Sequence, residues 1–127
     1  MISMSHIGLF VSDMPRSVEF YTKVLDLRVL EDHGISASGR RIVFLGHDKP
    51  SLELLSSVDD PASNVRPERG PFDHLAWQVE DIAKEVGRIK ELGIVFNPDQ
   101  IMKVLDGRQV AFFFGPDGER LELAQRA

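Results

Sequence analysis

The sequence predicts an α+β fold built from two βαβββ modules, and an internal repeat is the main observation behind this prediction. At 127 residues the chain suits one compact domain or two small modules that share a core. One segment runs from His6 to Asp13 and a second runs from His74 to Asp81, with the same spacing and an apolar stretch in between. Such self-similarity is typical of a duplicated structural unit.

The first strand of each module is followed by a predicted helix. Asp13 is a predicted N-cap with Pro15 in the opening turn, and Asp81 is the predicted N-cap of the second helix. Gly93 is expected to end the second helix, because glycine readily adopts the conformation that follows a helix C-terminus. Apolar residues recur in both segments at the helical period. They are Val18, Tyr21, Val24 and Leu25 in the first helix and Ile82, Val86, Ile89 and Leu92 in the second.

The back half of each module is interpreted as further strands. An apolar run, at 41–45 or 110–114, precedes a turn, and a Leu-Glu-Leu strand follows that turn. This last strand contains Glu53 in the first module and Glu122 in the second. Both modules are therefore predicted to have the order strand, helix, strand, strand, strand. Within the second apolar run, either Ala111 with Phe113 or Phe112 with Phe114 is expected to face the core.

The whole chain, residues 1–127, is expected to form a single domain with two modules. Module one covers about 1–58, a linker covers about 59–71, and module two covers about 72–127. The linker assignment rests on three prolines and several charged residues. Neither module is large enough to bury much apolar surface alone, so we expect the two to pack together or across a dimer.

Composition excludes several classes of function. The chain carries a formal net charge of −5 and has no basic run, so nucleic acid is not an expected partner. It contains no cysteine, which excludes disulfides, thiolate metal sites and a cysteine nucleophile. No apolar run is long enough for a membrane span, and the N-terminus lacks the features of a signal peptide. We therefore expect a cytoplasmic protein that does not associate with membranes.

Four residues at matched positions of the repeat are candidate metal ligands. His6 and His74 open the first strand of each module, and Glu53 and Glu122 lie inside the last. Strand alternation places each glutamate on the face opposite its two flanking leucines. A single histidine or glutamate at such a position is more often structural, but two of each at equivalent positions suit one divalent cation. By contrast, His33 and His47 lie in turn-like stretches without a counterpart in the other module and are expected to be exposed.

The chain resembles the vicinal oxygen chelate superfamily from end to end. The residues that carry the resemblance are His6–Val11, Asp13 and Ser17–Tyr21 near the start, and Gly115–Gly118 with Leu121–Leu123 near the end. The superfamily includes glyoxalase I, methylmalonyl-CoA epimerase, fosfomycin-resistance proteins, extradiol dioxygenases and bleomycin-binding proteins. The resemblance implies two βαβββ modules that form an open, cup-shaped mixed sheet around one metal site, usually in a homodimer.

Within the superfamily, the order His, Glu, His, Glu looks most like glyoxalase I, also called lactoylglutathione lyase. This implies a metal-dependent lyase or isomerase that moves a proton on a chelated hemithioacetal through an enediolate. His6, Glu53, His74 and Glu122 would hold one divalent ion per site, nickel or zinc foremost, with cobalt, iron or manganese as alternatives. The resemblance gives Glu122 the role of general base, with Glu53 as a ligand or reciprocal acid.

One departure from the family pattern concerns the thiol. Bacterial glyoxalase I usually has an arginine four residues after the first histidine, where this chain has Phe10, and often an asparagine where it has Ser57. Glutathione is therefore not assigned as the thiol, and the expected substrate is a thiol hemithioacetal or an acyl-CoA. Two alternatives stay open, namely a methylmalonyl-CoA epimerase-like enzyme and a protein that sequesters a small molecule or drug without catalysis.

Overall fold

Both halves of the chain have the predicted order of strands and helices. The computed structural model describes residues 1, 4–37, 39–57, 73–104 and 107–127. The chain divides into two units, Met1–Glu68 and Arg69–Ala127. The predicted linker at about 59–71 lies outside the described residues, so its boundaries stay a prediction.

The described residues of unit 1 form one mixed four-stranded sheet and one helix. Strand order in the sheet is β1-β4-β3-β2; β1 is parallel to β4, and the other neighbours are antiparallel. The elements are β1 (Ile7–Phe10), α1 (Met14–Lys23), β2 (Arg28–Ile35), β3 (Arg40–Gly46) and β4 (Pro50–Ser57).

Unit 2 repeats this topology. Its sheet has the order β5-β8-β7-β6, with β5 parallel to β8 and antiparallel pairing elsewhere. The elements are β5 (Leu75–Gln78), α2 (Ile82–Glu91), β6 (Met102–Lys103), β7 (Gln109–Phe114) and β8 (Arg120–Gln125). The predicted α+β fold of two βαβββ modules is confirmed.

The two helices begin where the sequence predicts. The Asp13 side chain accepts a hydrogen bond from the Arg16 backbone N–H, and the Asp81 side chain accepts one from the Lys84 N–H, both at 3.1 Å. Each aspartate satisfies a backbone donor that has no partner within the helix. At the other end of α2, Gly93 has a φ of +88° and its N–H donates to Lys90 O, so the predicted helix stop is confirmed.

Buried leucines on the central strands form the core of each unit. The leucines that flank Glu53 and Glu122 are almost completely buried, and the two glutamates between them are not. Each sheet therefore has one face that packs against the helix of its unit and one face that carries a glutamate. The leucines are Leu52, Leu54, Leu121 and Leu123.

The two sheets differ most at their last strand. β2 has eight residues and β6 has two, and two register shifts interrupt the pairing of β2 with β3. His33 lies within β2, so its interpretation as a turn residue is wrong, although its side chain is exposed as expected. Most β2 side chains face solvent, so this strand shows no apolar alternation. Within the described ranges, no helix has the length and apolar character that a membrane span requires.

Candidate metal centre

The parallel pairing of β1 with β4 brings His6 to Glu53. Gly8 is the register partner of Glu53. His6 lies two residues before Gly8, and side chains two apart share a face of a strand. The His6 Nε2 atom is 3.9 Å from Glu53 Oε2, and both side chains are partly buried.

Unit 2 builds the same pair by the same register. Ala76 is the partner of Glu122, and His74 lies two residues before Ala76. The His74 Nε2 atom is 3.1 Å from Glu122 Oε2. Glu122 is also the more shielded of the two carboxylates, with 13% of its side chain exposed against 19% for Glu53.

The residue beside each carboxylate is small. A Cβ atom added to Gly8 would lie 3.3 Å from Glu53 Oε1 and equally close to Leu55 Cδ1, which is tighter than ordinary contact. Ala76 holds the equivalent place beside Glu122. A side chain at position 8 would therefore press against the Glu53 carboxylate, and unit 2 has a small residue at the equivalent position.

A phenylalanine completes each pair, and the sequence did not single these residues out as site residues. Phe44 is the antiparallel register partner of Glu53, and its ring meets the His6 ring edge to face at 5.3 Å. Phe112 is the partner of Glu122 and meets the His74 ring at 5.9 Å in the same geometry. The core-facing set in β7 is Ala111 with Phe113, which decides the alternation left open by the sequence. Phe44 and Phe112 are identified by their register opposite the glutamates, which the strand pairing supplies.

The second ring nitrogen of each histidine has a different partner in the two units. In unit 1, Ser5 Oγ lies 2.9 Å from His6 Nδ1. In unit 2, His74 Nδ1 lies 2.7 Å from Asp73 Oδ2, and Arg120 donates a hydrogen bond to the same oxygen, also at 2.7 Å. The hydrogen bond from His74 and the charge of Arg120 hold the pKa of the Asp73 carboxyl below its usual range.

The donor atoms of both pairs suit a divalent cation. With metal–ligand distances of about 2.1 Å, two ligand atoms at right angles on one ion lie roughly 3 Å apart. The His74–Glu122 distance of 3.1 Å matches this spacing, and the His6–Glu53 distance of 3.9 Å is somewhat wider. Imidazole nitrogen and carboxylate oxygen together suit zinc, nickel and related ions.

The structure brings the four predicted ligands together as two pairs, one within each unit. In the part of the chain that it describes, no group of three or more His, Asp or Glu side chains is placed to hold one metal ion. A single centre made by all four residues stays a prediction.

Near the His6–Glu53 pair, the aromatic ring of Phe10 on β1 lies beside the cationic side chain of Arg40. Phe10 lies two residues after Gly8, the register partner of Glu53, so its side chain is on the Glu53 face of β1. The Arg40 guanidinium lies over the Phe10 ring, 5.4 Å from its centroid. Arg40 of β3 therefore places a positive charge beside the uncharged residue Phe10.

Comparison with known proteins finds relatives of similar length and a solved structure of similar fold. Uncharacterized protein YwkD of Bacillus subtilis is 32% identical over 125 residues, which cover 98% of this chain and 97% of YwkD. A probable lactoylglutathione lyase of Synechocystis is 26% identical over 123 residues, covering 94% of this chain and 92% of that protein. The crystal structure of glyoxalase I from Zea mays is similar at a TM-score of 0.84 and 26% identity.

The maize match covers 98% of this chain but 44% of the maize chain, so this protein spans somewhat less than half of that enzyme. The sequence profile of the Glyoxalase/Bleomycin resistance protein/Dioxygenase superfamily matches residues 3–123, nearly the whole chain. The chain belongs to this superfamily.

Proposed function

We propose that the protein is a metal-dependent lyase or isomerase of the glyoxalase I type, which moves a proton between adjacent carbons of a thiol hemithioacetal. The observation that carries this proposal is the repeated His–Glu pair. In both units the histidine Nε2 faces a glutamate oxygen at an equivalent strand register. The similarity to a probable lactoylglutathione lyase supports the same reaction class.

His6, Glu53, His74 and Glu122 are the residues that would hold the cofactor, one divalent ion per site with nickel or zinc foremost. When bound, such an ion supplies a Lewis acid that polarises the substrate oxygens and stabilises negative charge there. Both histidines present Nε2 toward the glutamate, which leaves Nδ1 to the residue that precedes each histidine.

Glu122 is the proposed general base. Its carboxylate is largely shielded from water and lies 3.1 Å from His74 Nε2, at the proposed metal position, where it can accept a proton from a carbon of the bound substrate. The proton taken from one carbon returns to its neighbour from a carboxyl group, with Glu53 as reciprocal acid when it does not serve only as a ligand. Substrate and product are then isomers, and the reaction needs no external oxidant or reductant.

The surroundings of Phe10 favour a thiol that carries an apolar part and an acidic group. The aromatic ring offers apolar contact, and the Arg40 guanidinium beside it offers a partner for a carboxylate. Arg40 makes no ion pair with the residues that the structure describes.

Metal stoichiometry and substrate screening test the proposal together. The protein is loaded with Ni²⁺ or Zn²⁺, desalted and analysed by mass spectrometry, and its activity is assayed with methylglyoxal and a panel of thiols. We expect about one tightly held ion per chain and turnover of at least one hemithioacetal. Light scattering on the same sample tests the predicted homodimer.

Variants give this experiment its control. Glu53→Gln and His74→Ala should lose bound metal, whereas His47→Ala should retain it because His47 is exposed in the turn between β3 and β4. Failure of the wild-type protein to hold any divalent ion would contradict the lyase proposal. Proton exchange on an acyl-CoA without hemithioacetal turnover would instead identify the epimerase-like alternative.

One structural observation favours a second candidate function. Phe10 and Phe44 are on the site face of unit 1, and Phe112 is on the site face of unit 2. Aromatic rings of this kind bind flat apolar molecules, so sequestration of a drug without catalysis is the alternative. Binding of such a ligand that is equally tight with and without metal, together with no turnover, would favour it.

A further inference from the structure

We infer that Asp73, held in place by Arg120, is a positioning residue that fixes His74 for metal binding and makes the His74–Glu122 pair the stronger of the two donor pairs. This inference rests on the proposed function, because it takes His74 as a metal ligand. It adds a role for two residues, Asp73 and Arg120, that are not themselves ligands.

Three residues hold the His74 ring, and together we call them the His74 clamp: Asp73, Arg120 and Phe112. His74 Nδ1 lies 2.7 Å from Asp73 Oδ2, and a carboxylate can only accept, so the imidazole donates. Arg120 Nη1 donates to the same oxygen at 2.7 Å. The Arg120 guanidinium also lies 4.0 Å above the Phe112 ring, which meets the His74 ring edge to face. The contacts form a closed loop that returns to the imidazole.

Unit 1 has the same ring contact without the charged part of the loop. Phe44 meets His6 as Phe112 meets His74. Ser5 precedes His6 where Asp73 precedes His74, and Ser51 lies two residues before Glu53 where Arg120 lies two before Glu122. The hydroxyl of Ser5 is a neutral partner for Nδ1, 2.9 Å away. The two pairs therefore receive different support from otherwise equivalent positions.

The clamp acts on the metal-binding nitrogen through the other nitrogen of the ring. When Nδ1–H donates a hydrogen bond to a carboxylate, Nε2 keeps its lone pair free. The carboxylate also makes Nε2 a stronger electron-pair ligand for a metal ion. The second contact, from Phe112, limits rotation of the ring. His74 Nε2 is then already aimed at the space beside Glu122, so less ordering is needed when an ion binds.

A merely structural role for these residues makes a different prediction. Asp73 is 73% exposed, and an exposed Asp–Arg pair contributes little to folding stability. If the Asp73–Arg120 pair were only a surface ion pair, its removal would leave the metal affinity unchanged. Metal affinity is therefore the measurement that separates the two roles.

The experiment is a chelator competition that gives the Zn²⁺ dissociation constant of the full-length wild-type protein and four variants. Asp73→Asn keeps the shape of the side chain and removes its charge, and we expect about 10–100-fold weaker binding. Ser5→Ala is the matched change in unit 1 and should cost only a few-fold, since the lost hydrogen bond is neutral. Thermal unfolding of the metal-free variants checks that each is folded.

Arg120→Gln and the double variant Asp73→Asn/Arg120→Gln test the order of action. Because Arg120 acts through Asp73, the double variant should bind Zn²⁺ no more weakly than Asp73→Asn alone. Two results would overturn the clamp while leaving the proposed function intact: wild-type affinity in Asp73→Asn, or equal losses in Asp73→Asn and Ser5→Ala. A wild-type protein that binds no Zn²⁺ would overturn both.

Discussion

Units 1 and 2 have the same backbone plan and the same His–Glu–Phe grouping, yet they differ in the residues just outside it. In both, a parallel strand pair sets the histidine beside the glutamate, and an antiparallel partner adds the ring. Around that grouping, unit 1 has serines where unit 2 has Asp73 and Arg120. Strand register thus fixes which atoms can meet, while the neighbouring side chains decide how strongly each atom is held.

A second difference lies in the sheet beyond the site. In unit 1, β2 extends the site face with His33, whose ring meets Phe44 at 5.8 Å. Among the described residues of unit 2, the two-residue strand β6 occupies that place. A ligand on the face of unit 1 would therefore meet the His33 ring of β2 in addition to His6 and Phe44.

The largest difference between the units is expected in catalysis. Glu122→Gln removes the proposed base and should lower kcat by about 10²–10⁴-fold, because a glutamine cannot accept the proton. Glu53→Gln should hold metal more weakly, but its kcat per bound ion should fall by a smaller factor, since the base remains. Steady-state kinetics on metal-loaded protein, with metal content measured for each variant, makes the comparison. A larger loss for Glu53→Gln would reverse the assignment of roles.

Buried residues that pair with the two Leu-Glu-Leu strands should contribute similarly to the stability of the two units. Phe113→Ala in unit 2 should lower the free energy of unfolding by about 3–5 kcal/mol, and Leu45→Ala at the equivalent place in unit 1 by about 2–5 kcal/mol. Both side chains are completely buried. Urea denaturation measures both, with Phe114→Ala as the control because Phe114 is exposed. A loss of less than 1 kcal/mol at either buried site would contradict the packing described.

Ser5→Asp makes unit 1 resemble unit 2 at the position before the histidine. It gives His6 the carboxylate partner that His74 already has, so Zn²⁺ binding should tighten by a few-fold, up to about tenfold. Chelator competition measures the change. Ser5→Asn is the control, because it has a similar shape and no charge. Equal Zn²⁺ affinities for the two variants would show that a negative charge beside His6 Nδ1 has no effect on metal binding in unit 1.

The smallest effect is expected at the ion pair between β2 and β3 of unit 1. Arg41 donates to Asp32 at 2.8 Å, and this hydrogen bond is the main reason that the pKa of Asp32 is lowered. A lowered pKa in the folded state stabilises the protein above the ordinary aspartate pKa, and this stabilisation is lost as the pH falls through the folded-state value.

Asp32→Asn should therefore cost less than about 1 kcal/mol at neutral pH, since the pair is at the surface. The difference from wild type should disappear in acid. Urea denaturation at both pH values checks this, and a difference that grows on acidification would contradict the sign.

The fold was predictable because its signals are local. Asp13 and Asp81 mark helix starts through hydrogen bonds to backbone groups three residues away. The Leu-Glu-Leu pattern shows which face of a strand is buried. β2 lacked such a signal, because its side chains are mostly exposed and alternation reports burial.

The site was predictable only in part, for a related reason. His6, Glu53, His74 and Glu122 could be proposed because the repeat matched them. Phe44 and Phe112 depend on cross-strand register, which a single sequence does not specify. Arg120 reaches Asp73 across 47 positions of chain, so no local pattern connects them. The adjacent Asp73 and His74 were the one local hint of the clamp.

The form of β2 also bears on how the protein behaves at high concentration. Among the described strands, β2 is the last in its sheet and pairs on one side only. Such an edge exposes backbone groups that can recruit a strand from another molecule and begin aggregation. Here Glu31, Asp32 and His33 are exposed along the edge, and its register is interrupted twice. Charge and irregular geometry both oppose edge-to-edge association, so the longest exposed strand of unit 1 is also protected against forming aggregates.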